Sequence, residues 1–237
     1  CTQFTLCERG TLQQVKKAKA VFTTGTSQNA LHYGNGKAGI TIDATTGEMV
    51  SLELDGREML GCGMPMGYTN HRWIENDRFT QTADGMEEKA EISVEGFTYG
   101  GKAQSGPVVI TTLRRGSLCD TRIVYTLHAQ GCVDIDAEFT PHTEKLRRAG
   151  IQVGLNRELQ RIDYYAYGPL ENYSDRRDGV QLGRYQTTPA SSMERYIKPQ
   201  STGNREGLRE ATFTDFNGRG VKIQTEGEVS FSALPYT

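Results

Sequence analysis

From Ala38 onward, hydrophobic residues recur at every second position. Ile40 and Ile42 fall on one face, Met49 precedes Ser51-Leu52-Glu53-Leu54, and Asp55-Gly56 marks a two-residue hairpin turn. The middle of the chain carries the clearest pattern: Val109 to Leu113, Arg122 to Leu127 and Cys132 to Phe139, separated by turn-like Arg114-Arg115-Gly116-Ser117 and Ala129-Gln130-Gly131. In the third run Val133, Ile135, Ala137 and Phe139 alternate with Asp134, Asp136 and Glu138, which predicts a strand with one buried and one wet face. Ile151, Val153 and Leu155, then Phe213, Val221, Ile223, Val229 and Phe231, keep the same rhythm to the end. Consecutive short alternating runs predict an all-β antiparallel meander folded into a large sandwich of two sheets. No confident helix exceeds about three turns, and no internal repeat is visible. Before residue 28 the pattern is mixed: Thr2 to Leu6 alternates like a short strand, while Gln13 to Ala20 is basic and weakly helical.

Length and charge narrow the function classes. A chain of 237 residues suits one large β domain or two small ones and can bury a proper core. With 27 basic and 29 acidic residues and no long run of either sign, nothing marks a nucleic-acid partner, which would need a concentrated basic face. No apolar run approaches the roughly 20 residues of a membrane helix, so the expectation is a soluble chain without a membrane partner. The five cysteines, Cys1, Cys7, Cys62, Cys119 and Cys132, include no C-x-x-C and no zinc spacing, and are expected to be free thiols. The 27 glycines favour turns and strands.

The segment from Tyr164 to Arg209 departs from the alternating pattern. It holds Gly168-Pro169-Leu170-Glu171-Asn172-Tyr173-Ser174-Asp175-Arg176, then Gly183-Arg184-Tyr185, then Tyr196-Ile197-Lys198-Pro199-Gln200 and Gly203-Asn204-Arg205. Gly-Pro punctuates a turn. The residues after that turn are too polar for a core strand and too rich in tyrosine for a disordered linker. Glu171, Asp175, Arg176, Arg184 and Arg205 offer carboxylate–guanidinium bridges that would clamp an ordered loop against tyrosine faces. Glu171, Asn172, Tyr173, Asp175, Arg176 and Arg205 are the expected clamp.

This G-P-x-E-N-Y-x-D-R run, with Y-x-x-P-Q and G-N-R after it, resembles the signature of the C-terminal domain of large β-galactosidases of glycoside hydrolase family two. Asn29 to Leu60 is similar to the hairpin that opens that domain, and His71-Arg72-Trp73-Ile74-Glu75-Asn76-Asp77 resembles its W-R-x-x-x-D-N-D segment. Glu75, Arg147 and Ser201 stand where the family carries other residues. The resemblance implies a galactose-mutarotase-like supersandwich over residues 28–237, truncated at its C-terminal end, with residues 1–27 as the end of a preceding domain plus a linker. It implies a non-catalytic role here, since the family's catalytic glutamates belong to an upstream barrel. The whole enzyme would cleave terminal β-galactosides with retention, and the isolated chain would be inactive. Partners would be the barrel and other domains of the same polypeptide and a galactoside at the rim, with room for a homo-oligomer. This chain would need no cofactor, and the Mg and Na ions of the parent enzyme would bind outside it. The compartment stays open between cytoplasm and periplasm.

Read from the residues themselves, Trp73 beside Glu75, Asn76 and Asp77 forms a sugar platform: an indole face for C–H groups and polar side chains for hydroxyls. The other reading makes Trp73 a core residue and the acidic triplet a self-bonded turn. By resemblance, Trp73, Glu75, Asn76, Asp77, Arg78 and Phe79 are expected at the substrate-cleft rim, the polar triplet anchoring a loop that Arg78 and Phe79 begin. Glu171 and Asp175 share one loop, whereas a catalytic carboxylate pair normally comes from separate elements about 5 Å apart. His128 and His142 are read as surface or supporting residues. Asp134, Asp136 and Glu138 are read as solvated strand carboxylates rather than a metal site. The alternative function is a stand-alone carbohydrate-binding module or an aldose mutarotase-like protein.

Overall fold

The computed structural model describes residues 2–6, 23–27, 29–61, 63–70, 86–87, 89–95, 107–128, 130–144, 146, 148–197 and 200–235. The N-terminal strands are β1 (Thr2–Leu6), β2 (Thr23–Ser27), β3 (Ala30–Gly34), β4 (Ala38–Asp43), β5 (Met49–Leu54), β6 (Arg57–Glu58) and β7 (Gly67–Thr69). Next come β8 (Glu91–Glu95), β9 (Val108–Arg114), β10 (Cys119–His128), β11 (Cys132–Pro141), β12 (Gly150–Gln152), β13 (Arg161–Gly168) and β14 (Gln181–Thr187). One helical turn, α1 (Pro189–Ser192), precedes β15 (Arg205–Thr214) and β16 (Gly220–Phe231).

Every described strand pairing is antiparallel. Nine strands form one sheet in the order β14-β13-β15-β16-β1-β11-β10-β9-β8, five form a second in the order β2-β3-β4-β5-β6, and β12 pairs with β7. Strand β1 joins the two halves of the large sheet, matching Leu6 to Val133 of β11 on one side and Thr5 to Gln224 of β16 on the other.

Alternation explains which faces meet. On β10, Ile123, Tyr125 and Leu127 are buried while Arg122 is exposed; on β11, Val133, Ile135 and Ala137 are buried while Asp136 and Glu138 face water. Ile40, Ile42 and Leu52 of the five-stranded sheet join these side chains in one core, each at most 1% exposed. Burial of an aliphatic side chain of this size stabilises by roughly 1.5–3 kcal/mol, so this layer holds the sandwich together. A polar bolt fastens it elsewhere. Arg57, just past the Asp55-Gly56 turn, donates to Asp215 and Glu158 at 2.7 Å each and so ties the small sheet to the turn between β15 and β16. Asp215 also accepts the backbone N–H groups of Asn217 and Arg219, at 2.8 and 2.9 Å. These bonds, that of the Arg219 amide foremost, hold its carboxyl below the usual carboxylate range.

The sheets form as the alternation predicts, but one expectation from the cysteine spacing fails. Cys132, which opens β11, is disulfide-bonded rather than a free thiol. Cys119 keeps its buried thiol, as expected; an odd cysteine count forbids complete pairing but not partial pairing.

Candidate functional site

Strand β13 ends at Gly168, and a cis Gly168–Pro169 bond turns the chain across the end of the sheet. The loop beyond that bond meets the segment leading from α1 into β15. Between them lie four fully or nearly buried polar side chains, Glu171, Asn172, Asn204 and Arg205.

Glu171 is the hub. Its Oε1 accepts from Arg176 and from the Tyr196 hydroxyl. Its Oε2 accepts from Thr202 Oγ1 at 2.9 Å and from the Gly203 amide. Arg176 also donates to the Tyr196 hydroxyl at 2.9 Å and lies 5.4 Å from the centre of the Tyr173 ring. At 3% exposure the carboxyl oxygens meet these donors in place of water. Burial, together with the bond to Glu171, raises the Tyr196 hydroxyl above the ordinary phenol value. Gly203 is required at its position: its φ is +76°, and a Cβ there would lie 2.7 Å from the Ser192 carbonyl.

Asn172 stitches the two segments. Its Nδ2 donates to the carbonyls of Tyr167 (3.0 Å) and Leu170 (2.9 Å), and its Oδ1 accepts the Glu206 amide at 2.9 Å. Asn204 returns the contact by donating to the Asn172 carbonyl at 2.8 Å. Arg205 has no carboxylate in reach among the described residues. It donates instead to the carbonyls of Gly203 (2.7 Å) and Pro169 (3.3 Å) and to the Tyr164 hydroxyl (3.3 Å), with its guanidinium 5.7 Å from the Tyr164 ring centre. Tyr173 closes the edge by donating to the Ser201 carbonyl at 2.9 Å. The arrangement is a set of paired donors and acceptors that fixes two loops against each other.

Comparison with known proteins places the sequence that builds this cluster in a family. Residues 34–237 match the family described as beta galactosidase small chain. The chain belongs to that family. A β-galactosidase of Priestia megaterium is 23% identical over 99% of the chain, which covers 23% of that protein. One from Halalkalibacterium halodurans is 23% identical over 84% of the chain and 20% of its own length, and one from Lactobacillus delbrueckii subsp. bulgaricus is 32% identical over 74% and 16%. The chain thus spans about a quarter or less of these relatives.

The whole Glu171 cluster lies inside the small-chain match, whereas β1, β2 and most of β3 precede it. Of the residues expected as the clamp, Glu171, Asn172, Tyr173, Arg176 and Arg205 are brought together, while Asp175 is exposed and makes no described contact with them. Arg184 goes elsewhere: it pairs with Glu210 at 2.6 Å over the Tyr165 ring and, with Lys222, lowers the Glu210 pKa. The expected rim residues Trp73, Glu75, Asn76, Asp77, Arg78 and Phe79 lie outside the described residues. His128 contacts Asp134 at 2.8 Å. His142 contacts Asp120 at 2.9 Å and, with the Gly116 amide, lowers the Asp120 pKa. Sequence reasoning missed Thr202 and Tyr164 as partners and the Arg57–Asp215 bolt; the Asp215-Phe216-Asn217-Gly218 turn signal could have pointed to the last. Among the described residues no three His, Cys, Asp or Glu side chains gather as a metal site, and no helix is long and apolar enough to cross a membrane.

Proposed function

We propose that this small-chain segment is the non-catalytic C-terminal domain of a β-galactosidase, a galactose-mutarotase-like supersandwich that packs on the catalytic barrel and shapes the rim of the active-site cleft. The observation that carries this reading is the small-chain match over residues 34–237, joined to relatives called β-galactosidase that are at least four times longer. A domain of this kind works beside others, and the retaining hydrolysis of terminal β-galactosides belongs to the whole enzyme. The described carboxylates support it. Retention needs an acid able to hold a proton and a nucleophile about 5 Å away. Glu171 and Asp215, the buried carboxylates among the described residues, have their oxygens engaged by arginine, hydroxyl and backbone donors.

In this reading Trp73 supplies an apolar face to the galactoside, and Glu75, Asn76 and Asp77 anchor the loop begun by Arg78 and Phe79. Any Mg and Na ions of the whole enzyme are held by its other domains, in a cytoplasmic or periplasmic protein. Replacing Trp73 or Asp77 with alanine in the full-length protein should lower kcat/KM for a galactoside about tenfold, the effect of losing one good contact in the transition state, with the melting temperature retained. Unchanged kcat and KM in both variants would remove these residues from the rim.

A further inference from the structure

Away from the Glu171 cluster, the hairpins of the five-stranded sheet enclose a shallow cleft of about 240 Å³, lined by His32, Lys37, Glu53 and the glycines 34, 36, 39 and 56. Its walls are locked. Asn35 Oδ1 accepts the amides of Lys37 and Ala38 at 3.0 Å each, and the Asp55 amide donates to the Lys37 carbonyl at 2.7 Å, joining the β3–β4 and β5–β6 turns. The Gly131 turn packs on Lys37 from the large sheet.

The floor is bare for a spatial reason. Gly34 closes β3 and Gly39 is the second residue of β4, both outside the left-handed region, so their backbone angles do not demand glycine. Glycine in a strand marks close approach of another group, and here that group is the His32 ring. A Cβ on Gly39 would lie 3.3 Å from His32 Cε1 and 3.6 Å from Glu53 Oε2, between the two side chains; one on Gly34 would lie 3.1 Å from His32 Nε2. The imidazole rests on this floor, held by a 3.0 Å bond between Nδ1 and Thr41 Oγ1. Among the described residues, His32 Nε2, the Lys37 ammonium and the Glu53 carboxylate have no hydrogen-bond or ion-pair partner.

This chemistry selects a ligand class. Glu53 disfavours an anion, Lys37 disfavours a cation, and no large apolar side chain lines the cleft for a greasy ligand. Gly34-Asn35-Gly36-Lys37-Ala38-Gly39 has the spacing of a phosphate-cradling loop, but it runs into a strand, with no helix N-terminus to receive the phosphate. A small neutral polyol fits. Each of its hydroxyls both donates and accepts, to Glu53 and from Lys37, with His32 Nε2 serving either role according to tautomer.

We propose that this cleft is an accessory, non-catalytic binding site for a single pyranose, flanked by Glu53 and Lys37 and floored by Gly34 and Gly39. Only the choice of galactose as the probe rests on the β-galactosidase reading. The site is open, so affinity falls in the millimolar range.

The test is ligand-observed saturation-transfer NMR on the full-length protein with galactose from 1 to about 50 mM, comparing wild type with Glu53→Gln and His32→Ala. Hydrolysis of a chromogenic galactoside is measured on the same samples. The expected result is a saturable component weakened about fivefold or more in both variants, with hydrolysis unchanged. Glu53 is exposed and engages no other side chain, so its amide variant keeps the fold. A saturation signal identical in wild type and both variants, or no signal in any, overturns the cleft. Loss of hydrolysis in wild type with the Glu53-dependent signal intact overturns the β-galactosidase reading and supports the cleft.

Discussion

Two regions of this domain are built on different physics. In β9, β10 and β11 a period of two sends Ile110, Tyr125, Leu127 and Ile135 into a shared core. At the end of β13 the chain gives up periodicity, and Glu171, Asn172 and Arg205 are buried with specific partners 31 to 41 residues away in sequence. Apolar packing is non-directional and tolerates exchange of one aliphatic for another. A buried polar cluster is costly when half-made, so each member depends on the others. The difference teaches where the domain is forgiving and where it is not.

Breaking the cluster should have the largest effect. Replacing Glu171 with alanine leaves the Tyr196 hydroxyl and the Gly203 amide without this acceptor, while Thr202 keeps the Glu194 carbonyl and Arg176 is half exposed; with two donors orphaned and a cavity left behind, the loss should be about 4 kcal/mol. Hydrogen exchange should quicken at Asn172 and Gly203 in that variant. The core counterpart, Leu127→Ala, should cost about 3 kcal/mol through its cavity and lower the midpoint of denaturant unfolding without singling out those amides. Equal exchange patterns in the two variants would erase the distinction between the regions.

A gentler break sits at the bolt between the sheets. The Asp215 pKa is depressed in the folded chain, so its contribution is present above the unfolded value of about 3.9 and is lost as pH falls through the lower folded value. Between about pH 5 and pH 3 the melting temperature of wild type should therefore fall more steeply than that of Asp215→Asn. Parallel curves would show that the Arg57 and backbone contacts do not set acid stability.

The strands were legible because burial on one face imposes alternation: Val109 to Leu113 expands only to Val108–Arg114, and Cys132 to Phe139 to Cys132–Pro141. Their order was not. Nothing in Thr2 to Leu6 says that it fits between β11 and β16, because a strand's pattern records its inward face and not its neighbour. At the candidate site, Gly-Pro and the mixed charges announced an ordered loop. Which arginine meets which carboxylate was hidden, since Arg176 and Arg205 look alike in sequence while only Arg176 reaches Glu171. The cleft left no signal either, because exposed Lys37 and Glu53 look like ordinary hairpin charges until the backbone brings them to one floor.

The central claim is that this segment gives a β-galactosidase its structure and rim and not its acid and nucleophile. Hydrolysis of a chromogenic galactoside, measured on the 237-residue chain alone and on the full-length protein, tests it most directly. The account predicts turnover by the full-length protein and none by the chain. Turnover by the chain alone would contradict it and make Glu171, Asp175, His128 and His142 the first residues to replace.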